Sequence, residues 1–572
     1  MSASGALRST AETIDGNESD AAFDAAKLAR WIGGFVLLGL LARTIRFAVR
    51  FPLWDDESFL CANFIDRGYA ELTRPLDFHQ VAPLLFLWIE RTAVWCLGYS
   101  ELALRLFPFI CALVSVLLFR RFASRLLPGV ECLAAVAIFA VSYPGIRYAA
   151  EAKPYGSDLL VSLVVFALAV QWIERREARW LWWIVGLVPF AVGLSYPSVF
   201  TLGGTSLVVG ACLWRRRDSC DPHPASKSEW QAWIVWNVLL VVSFAFWFRL
   251  SGSVQASAEG EFMDRFWQNS FPPMREPWKL PFWLLRTHAS DFLAYPVGGP
   301  NWASSLTFLL VLCGLWRSCR QRRFFFLGLC LAPAAIHLFA AMLQRYPYGG
   351  HVKFSQYLAP MICCLAGVGV AQAVAWTASR PAYARRALVC SCAVLAAIGL
   401  GVVIRDVGLP YKTLSDFRAR AFARGFWFGA HSSEEVVCLE SDLGLTFIPQ
   451  ERRELSWAAQ YLCNYAIEKS RYKLAPADWS RISHDRPLRC VLYHESRFPL
   501  DDEKLRQWLA GMRENYELLG HETVTLPRMR HDERTLAAVE FVDSYRFVPR
   551  DPSRPAQPTT PLTDRRTGPA AR

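Results

Sequence analysis

The stretch Trp54-Asp55-Asp56-Glu57 sets three carboxylates in a row just after the first strongly apolar run of the chain, with Phe59 close behind. A positioned carboxylate can take a proton from an attacking hydroxyl. Further along, "LDFHQVAPLLF" carries His79 and Gln80, and "GIRYAAEAKPYG" carries Arg147, Glu151, Lys153 and Tyr155. A third segment, "LQRYPYGGHVKFSQ", carries Arg345, Tyr346, Tyr348, His351 and Lys353. Arg and Lys side chains hold phosphate through charge-assisted hydrogen bonds. Together these residue types suit a transfer in which a carboxylate activates a hydroxyl and cations stabilise a departing phosphate. The second demand is the larger electrostatic one.

Each of these residues also has a plainer reading. Acids after an apolar run suit a hydrated loop tip. His79 and Gln80 can cap the helix that follows. Glu151 and Lys153 can pair with each other. Arg105 and Arg147 can snorkel from the end of a span. Tyr346 and Tyr348 fit an aromatic belt. Glu90 and Arg91 read as a polar stripe on a helix.

The elements that must hold these residues are apolar. The chain has 572 residues, 53% of them hydrophobic and 14% aromatic, with a mean hydropathy of +0.20. Apolar runs near 31–49, 105–122, 130–147, 157–174, 180–197, 198–214, 231–249, 302–317, 323–342, 355–376 and 386–404 predict about eleven transmembrane helices. Ser195-Tyr196-Pro197-Ser198 predicts a tight turn between two of them. The net charge of +12 comes largely from clusters between the runs, such as Arg120/Arg121/Arg125 and Arg215/Arg216/Arg217. That is a topology signal, and no basic stripe with interleaved aromatics suggests a nucleic-acid surface. If 82–98 lies at the interface instead of spanning, all the clusters fall on the cytoplasmic side with Lys27 and Arg30. The segments 50–104, 148–156, 250–301 and 343–354 then share the outer face with everything after 404.

Four parts follow: a disordered cytoplasmic tail over 1–26, a transmembrane domain over 27–404, an extracytoplasmic α/β domain over 405–548, and a disordered tail over 549–572. In the third part, strands are predicted at 435–441, 488–495 and 535–547, and helices at 455–470 and 501–515. The 16 cysteines include no C-x-x-C pair, and many lie in apolar runs, where they act as small hydrophobes. Cys438, Cys463 and Cys490 fall in the outer domain, where a disulfide is open to two of them.

The order W-D-D-E, H-Q-V-A-P-L-L-F, G-Y-S-E-L-A-L-R-L-F-P and R-Y-A-A-E-A-K-P-Y resembles the GT-C membrane glycosyltransferases. Within them it is similar to the family 39-like branch of protein O-mannosyltransferases, lipid A aminoarabinose transferases and rhizobial lipopolysaccharide transferases. The resemblance covers about 31–200 well and the other spans loosely. It implies a sugar donor carried on polyprenyl phosphate, an inverting transfer on the outer face of the cell's inner membrane, and a lipid, glycan or protein acceptor. It places the catalytic carboxylate at Asp56, with Glu57 as a supporting acid. In the second outer loop the family often has an acid near the proline; here Lys153 precedes Pro154 and the acid is Glu151. Some relatives bind a divalent metal through acidic motifs, and that stays open. The rival from another class is a polytopic transporter or lipid flippase, which would show midplane polar groups and interrupted helices.

The topology makes a direct prediction. A single cysteine introduced within 405–572 labels with an impermeant reagent from the outside of intact cells. Labelling from the cytoplasm alone would overturn the arrangement.

Overall fold

The computed structural model describes residues 24–78, 80–217, 223–256, 266–377, 381–410, 420, 435–440, 463–464, 466–467, 487–495, 502–529, 536–550 and 566–567. The expected N-terminal tail falls almost wholly outside these residues, as do most of the C-terminal tail and of the helix expected at 455–470. The chain divides into two units. One holds residues 1–50, 81–90 and 105–408; the other holds 51–80, 91–104 and 409–572. The segments 51–80 and 91–104 thus group with the C-terminal part, whereas the sequence reading grouped 27–404 together.

From 25 to 408 each expected apolar run holds a helix, the run at 130–147 breaking after Val141: α1 Ala25–Ala48, α2 Glu101–Leu126, α3 Gly129–Val141, α4 Tyr155–Arg175, α5 Arg179–Leu194, α6 Ser198–Arg215, α7 Lys227–Trp247, α8 Ser305–Arg320, α9 Phe324–Met342, α10 Ala359–Trp376 and α11 Pro381–Gly408. Seven helices among the described residues are long and apolar enough to cross a bilayer, and an eighth span arises if α3 is joined to the bent segment Tyr143–Ala150. The chain is a polytopic helical membrane protein. The helix Leu84–Leu97 has 14 residues, about 21 Å of rise, and is shorter than the roughly 30 Å hydrocarbon core. Its Glu90 is fully buried, so Glu90 is not half of an exposed stripe. Arg105 is buried too, not snorkelling.

The centre of this unit is α10. Its apolar window is 78% buried, against 17% for α11 at the periphery. It packs on α8 and α3. Helices in lipid gain no hydrophobic drive from touching one another, so close backbone approach must supply the attraction. A Cβ on Gly314 would stand 2.1 Å from the Leu365 carbonyl, and one on Gly369 would stand 2.0 Å from that of Leu310. At both positions only glycine lets α8 and α10 meet.

The bend after α3 has a clear cause. Pro144 has no N–H, so it cannot close the helical bond to the Ala140 carbonyl. Arg43 of α1 takes that carbonyl instead, its Nη1 donating at 2.7 Å, and also donates to Gly39 (2.9 Å) and Phe139 (3.4 Å). The Tyr143 N–H goes to the Pro296 carbonyl at 2.7 Å. A second polar clamp lies at the other end of α3, where Glu131 accepts from Arg323 at 2.6 Å and meets Arg317 at 3.2 Å.

The second unit carries a five-stranded sheet of order β1-β2-β4-β3-β5. The strands are β1 Glu435–Glu440, β2 Leu488–Glu495, β3 Tyr516–Met529, β4 Leu536–Pro549 and β5 Arg566–Thr567. β1 runs parallel to β2, and β4 is antiparallel to both β2 and β3. The helix Asp502–Asn515 places Leu509 and Trp508 with Cys490, Tyr545 and Phe547 in its core. Cys463 and Cys490 are not disulfide-bonded; the side chain of Cys438 lies outside the described residues.

Overpacking a tight helix contact costs roughly 1–3 kcal/mol. Gly369→Val is expected to lower the thermal midpoint of the purified protein, and Gly401→Val, whose Cβ meets nothing within 4 Å, is expected to leave it unchanged. Equal midpoints for the two variants would contradict the packing account.

Candidate functional site

The residues expected to do chemistry fall in both units, and each set is built by its own neighbours. In the second unit, Asp55–Cys61 forms a short helix begun by extended Trp54. Asp56 and Glu57 sit in its first turn, where backbone N–H groups favour negative charge. Asp56 is half-buried and Glu57 fully buried. The far end of the helix is pinned by other parts of the same unit. The Tyr99 hydroxyl donates to the Cys61 carbonyl at 2.9 Å and lies 3.2 Å from Cys463 Sγ, whose thiol reaches the Ser58 carbonyl at 3.4 Å. Burial, then the nearby Cys463 and Cys61 thiols, push the Tyr99 hydroxyl well above its ordinary range, so it remains a donor. Below the helix, Asn63 receives the Asp77 N–H at 2.8 Å, and Asp77 pairs with Arg67 at 2.8 Å. Gln80 is buried and donates to the Phe78 carbonyl at 3.0 Å. His79 lies outside the described residues.

In the first unit the bend after α3 leads into a short helix, Tyr143–Arg147, and a single turn, Tyr148–Ala150. Arg147 Nε donates to Glu151 Oε1 at 2.5 Å. Glu151 thus pairs with Arg147, four residues earlier, while the Lys153 N–H closes a tight turn onto the Glu151 carbonyl at 2.8 Å. Glu151 and Lys153 are 3% and 5% exposed, and burial of charge on this scale is costly unless the groups have a task or a partner. Tyr155 begins α4, its ring 4.7 Å from that of Tyr148. The Tyr148 hydroxyl reaches His351 Nδ1 at 3.4 Å, and the Lys353 N–H donates to the same nitrogen at 3.2 Å. That nitrogen is therefore the acceptor of the ring, and Nε2 carries the proton. One histidine ties the segment 148–156 to the segment 343–354. Lys353 Nζ sits 4.5 Å over the Trp267 ring, a cation–π contact that holds the ammonium in place.

Two expected residues stand elsewhere. Arg345 is exposed, and its guanidinium pairs with no described residue. Tyr348 is buried, stacked on Phe292 at 4.4 Å, with its hydroxyl 3.1 Å from His288 Nε2. His288 Nδ1 donates to the Leu284 carbonyl at 2.7 Å, so Tyr348 is the donor to Nε2. Tyr348 belongs to an interior aromatic and histidine cluster, not to an interfacial belt. His337 is buried in the same cluster, bonded to the Pro347 carbonyl at 2.8 Å and to the Tyr357 hydroxyl at 3.1 Å.

The sequence reading passed over Asp158. It sits one turn into α4, is 4% exposed, and its Oδ1 has no hydrogen-bond partner. A carboxylate in an apolar helix is a functional candidate by default, and that was the available signal. Among the described residues no group of three or more His, Cys, Asp or Glu side chains gathers as metal ligands would.

No family model matches the chain, and no curated protein matches it. Among solved structures, the chain is similar to ArnT from Cupriavidus metallidurans bound to undecaprenyl phosphate, at 13% identity and a TM-score of 0.46 over 90% of this chain and 98% of that one. The apo state of the same protein gives 12% identity and 0.47 over 91% and 98%. The oligosaccharyltransferase AglB from Archaeoglobus fulgidus, in complex with an inhibitory peptide and a dolichol-phosphate, gives 10% and 0.40 over 76% and 63%. At these values the likeness assigns neither an activity nor a ligand.

Burial holds the His288 imidazole below its ordinary value, with the bond to Leu284 acting in the opposite sense. An unfolded histidine titrates near 6.5, so as pH falls the unfolded chain takes the proton first and stability drops. The contribution is complete above about pH 6.5 and is lost below it. Thermal unfolding at pH 7.5 and 5.5 is expected to show a smaller acid-induced drop for His288→Gln than for the native protein. Equal drops would contradict this.

Proposed function

We propose that the protein is an integral-membrane glycosyltransferase of GT-C type, moving a sugar from a polyprenyl-phosphate donor to an acceptor hydroxyl on the extracytoplasmic face. The observation that carries the reading is the contrast within one helical turn: Asp56 is half-buried while its neighbour Glu57 is fully buried. A general base must reach its proton, and of these two acids Asp56 is the less buried. In this reading Asp56 accepts the proton of the acceptor hydroxyl as its oxygen attacks the anomeric carbon. The bond to the phosphate oxygen breaks on the opposite side, and the configuration inverts. Glu57 acts through position and field.

The phosphate falls to the basic set of the first unit. Arg147 is bound up with Glu151, so it orients more than it neutralises, and Lys153 is the cation offered to the lipid phosphate. A membrane-embedded bundle is the natural place for such a donor, whose polyprenyl chain stays in the bilayer while its phosphate sits at the interface. The resemblance quoted from the sequence supports the role given to Asp56. About eleven spans, an inside N-terminus and an outer C-terminal domain complete the proposed arrangement.

The broken span after α3 and the buried Arg43 favour one alternative, because interrupted helices and interior charges also mark transporters. Arg43 spends its donors on carbonyls that Pro144 leaves open, so here the break is closed by the protein and needs no cargo.

Two variants test the roles. Asp56→Asn is expected to abolish sugar transfer in membranes that contain a normal amount of folded protein. Lys153→Ala is expected to weaken binding of undecaprenyl phosphate about tenfold or more, the weight of one charge-assisted hydrogen bond. Full transfer by the first variant, or unchanged lipid affinity in the second, would overturn the corresponding role.

A further inference from the structure

We infer that the first unit carries a separate binding site for one anionic phospholipid, in a groove between α2 and α4. The groove is a cavity of about 310 Å³. On its α2 side stand Leu118, Arg121 and Arg125; on its α4 side stand Ala167, Leu168 and Gln171. Residues three and four apart share one helix face, so each helix turns a single stripe toward the groove. Both stripes change character along their length. Leu118, Ala167 and Leu168 make an apolar floor, and Arg121, Arg125 and Gln171 close one end with polar groups. The small side chain of Ala167 leaves the space between the helices open.

The polar end is not self-satisfied. The Arg121 guanidinium is exposed and pairs with no described residue. Gln171 Oε1 is buried and has no hydrogen-bond partner. Arg125 pairs with Glu174 at 2.7 Å across the mouth, so two guanidiniums face one carboxylate and the mouth keeps a net positive charge. An apolar slot ending in cations at the edge of a membrane bundle matches the two halves of a phospholipid. One acyl chain lies along the floor, the phosphate takes Arg121 and the free edge of Arg125, and a headgroup hydroxyl can donate to Gln171 Oε1. A phosphatidylglycerol headgroup offers both the charge and the hydroxyl. A choline headgroup adds a cation beside the arginines and has no hydroxyl to give. On the topology proposed above, the mouth opens to the cytoplasmic leaflet, opposite the face assigned to the sugar transfer, so the site stands or falls independently of that reaction.

Native mass spectrometry of the full chain in detergent tests this, with dioleoyl phosphatidylglycerol and dioleoyl phosphatidylcholine as probes. The native protein is expected to retain one phosphatidylglycerol in preference to phosphatidylcholine. Arg121→Gln is expected to reduce that preference about fivefold, the weight of one arginine near an anionic surface. Ala167→Leu, which fills the floor and keeps both arginines, is expected to remove the bound lipid. Equal retention of the two lipids by the native protein, or an unchanged preference in both variants, would overturn the site.

Discussion

The contact between Arg43 and the Ala140 carbonyl is the constraint on which much of the first unit depends. A proline four residues after a carbonyl leaves that carbonyl without its helical partner, and in hydrocarbon no water can replace it. A charged guanidinium in the same place is costly unless its donors are used. The two liabilities cancel at 2.7 Å. The result is a span that can end early without exposing polar backbone. The chain then turns, and the eleven residues 143–153 bring Arg147, Glu151 and Lys153 into position. Gly145 belongs to the same device, because a Cβ there would stand 2.8 Å from Arg43 Nη2.

The rest of the unit follows the logic of a lipid solvent. Charges gather where helices end, as in the clamp of Glu131 with Arg317 and Arg323. Glycines gather where helices must touch, as at Gly314 and Gly369. The second unit follows aqueous rules instead, with alternating strands and an amphipathic helix over a small core. Its short Asp55–Cys61 helix is held at the far end by Tyr99 and Cys463.

Much of this was legible in the sequence, and the exceptions are instructive. The apolar helices could be read from hydropathy, and seven or eight of the eleven expected are long and apolar enough to span a bilayer among the described residues. The turn at Ser195–Ser198 followed from Pro197. Strand β3 was missed because the register shifts between Leu518 and Gly520, which breaks the alternation that marks a strand. Arg43 was missed because a lone arginine in an apolar run barely changes its mean, and its partner proline lies about a hundred residues away. The loops that carry Arg147, Glu151 and Lys153 were found from their charge. The choice of Arg147 as partner of Glu151 depends on a helical turn that charge alone does not reveal. Tyr348 and Arg345 sit three residues apart in one loop, yet one is buried on His288 and the other is exposed. Composition gives the two the same status, and only the fold separates them.

The central claim is that this membrane protein moves a sugar to an acceptor in the cell envelope. Mass profiles of envelope glycolipids and glycans from cells with and without the gene test it most directly. The account predicts that deletion removes one species, or shifts it down by the mass of one sugar, and that the native gene restores it. Identical profiles under conditions where the protein is made would contradict it.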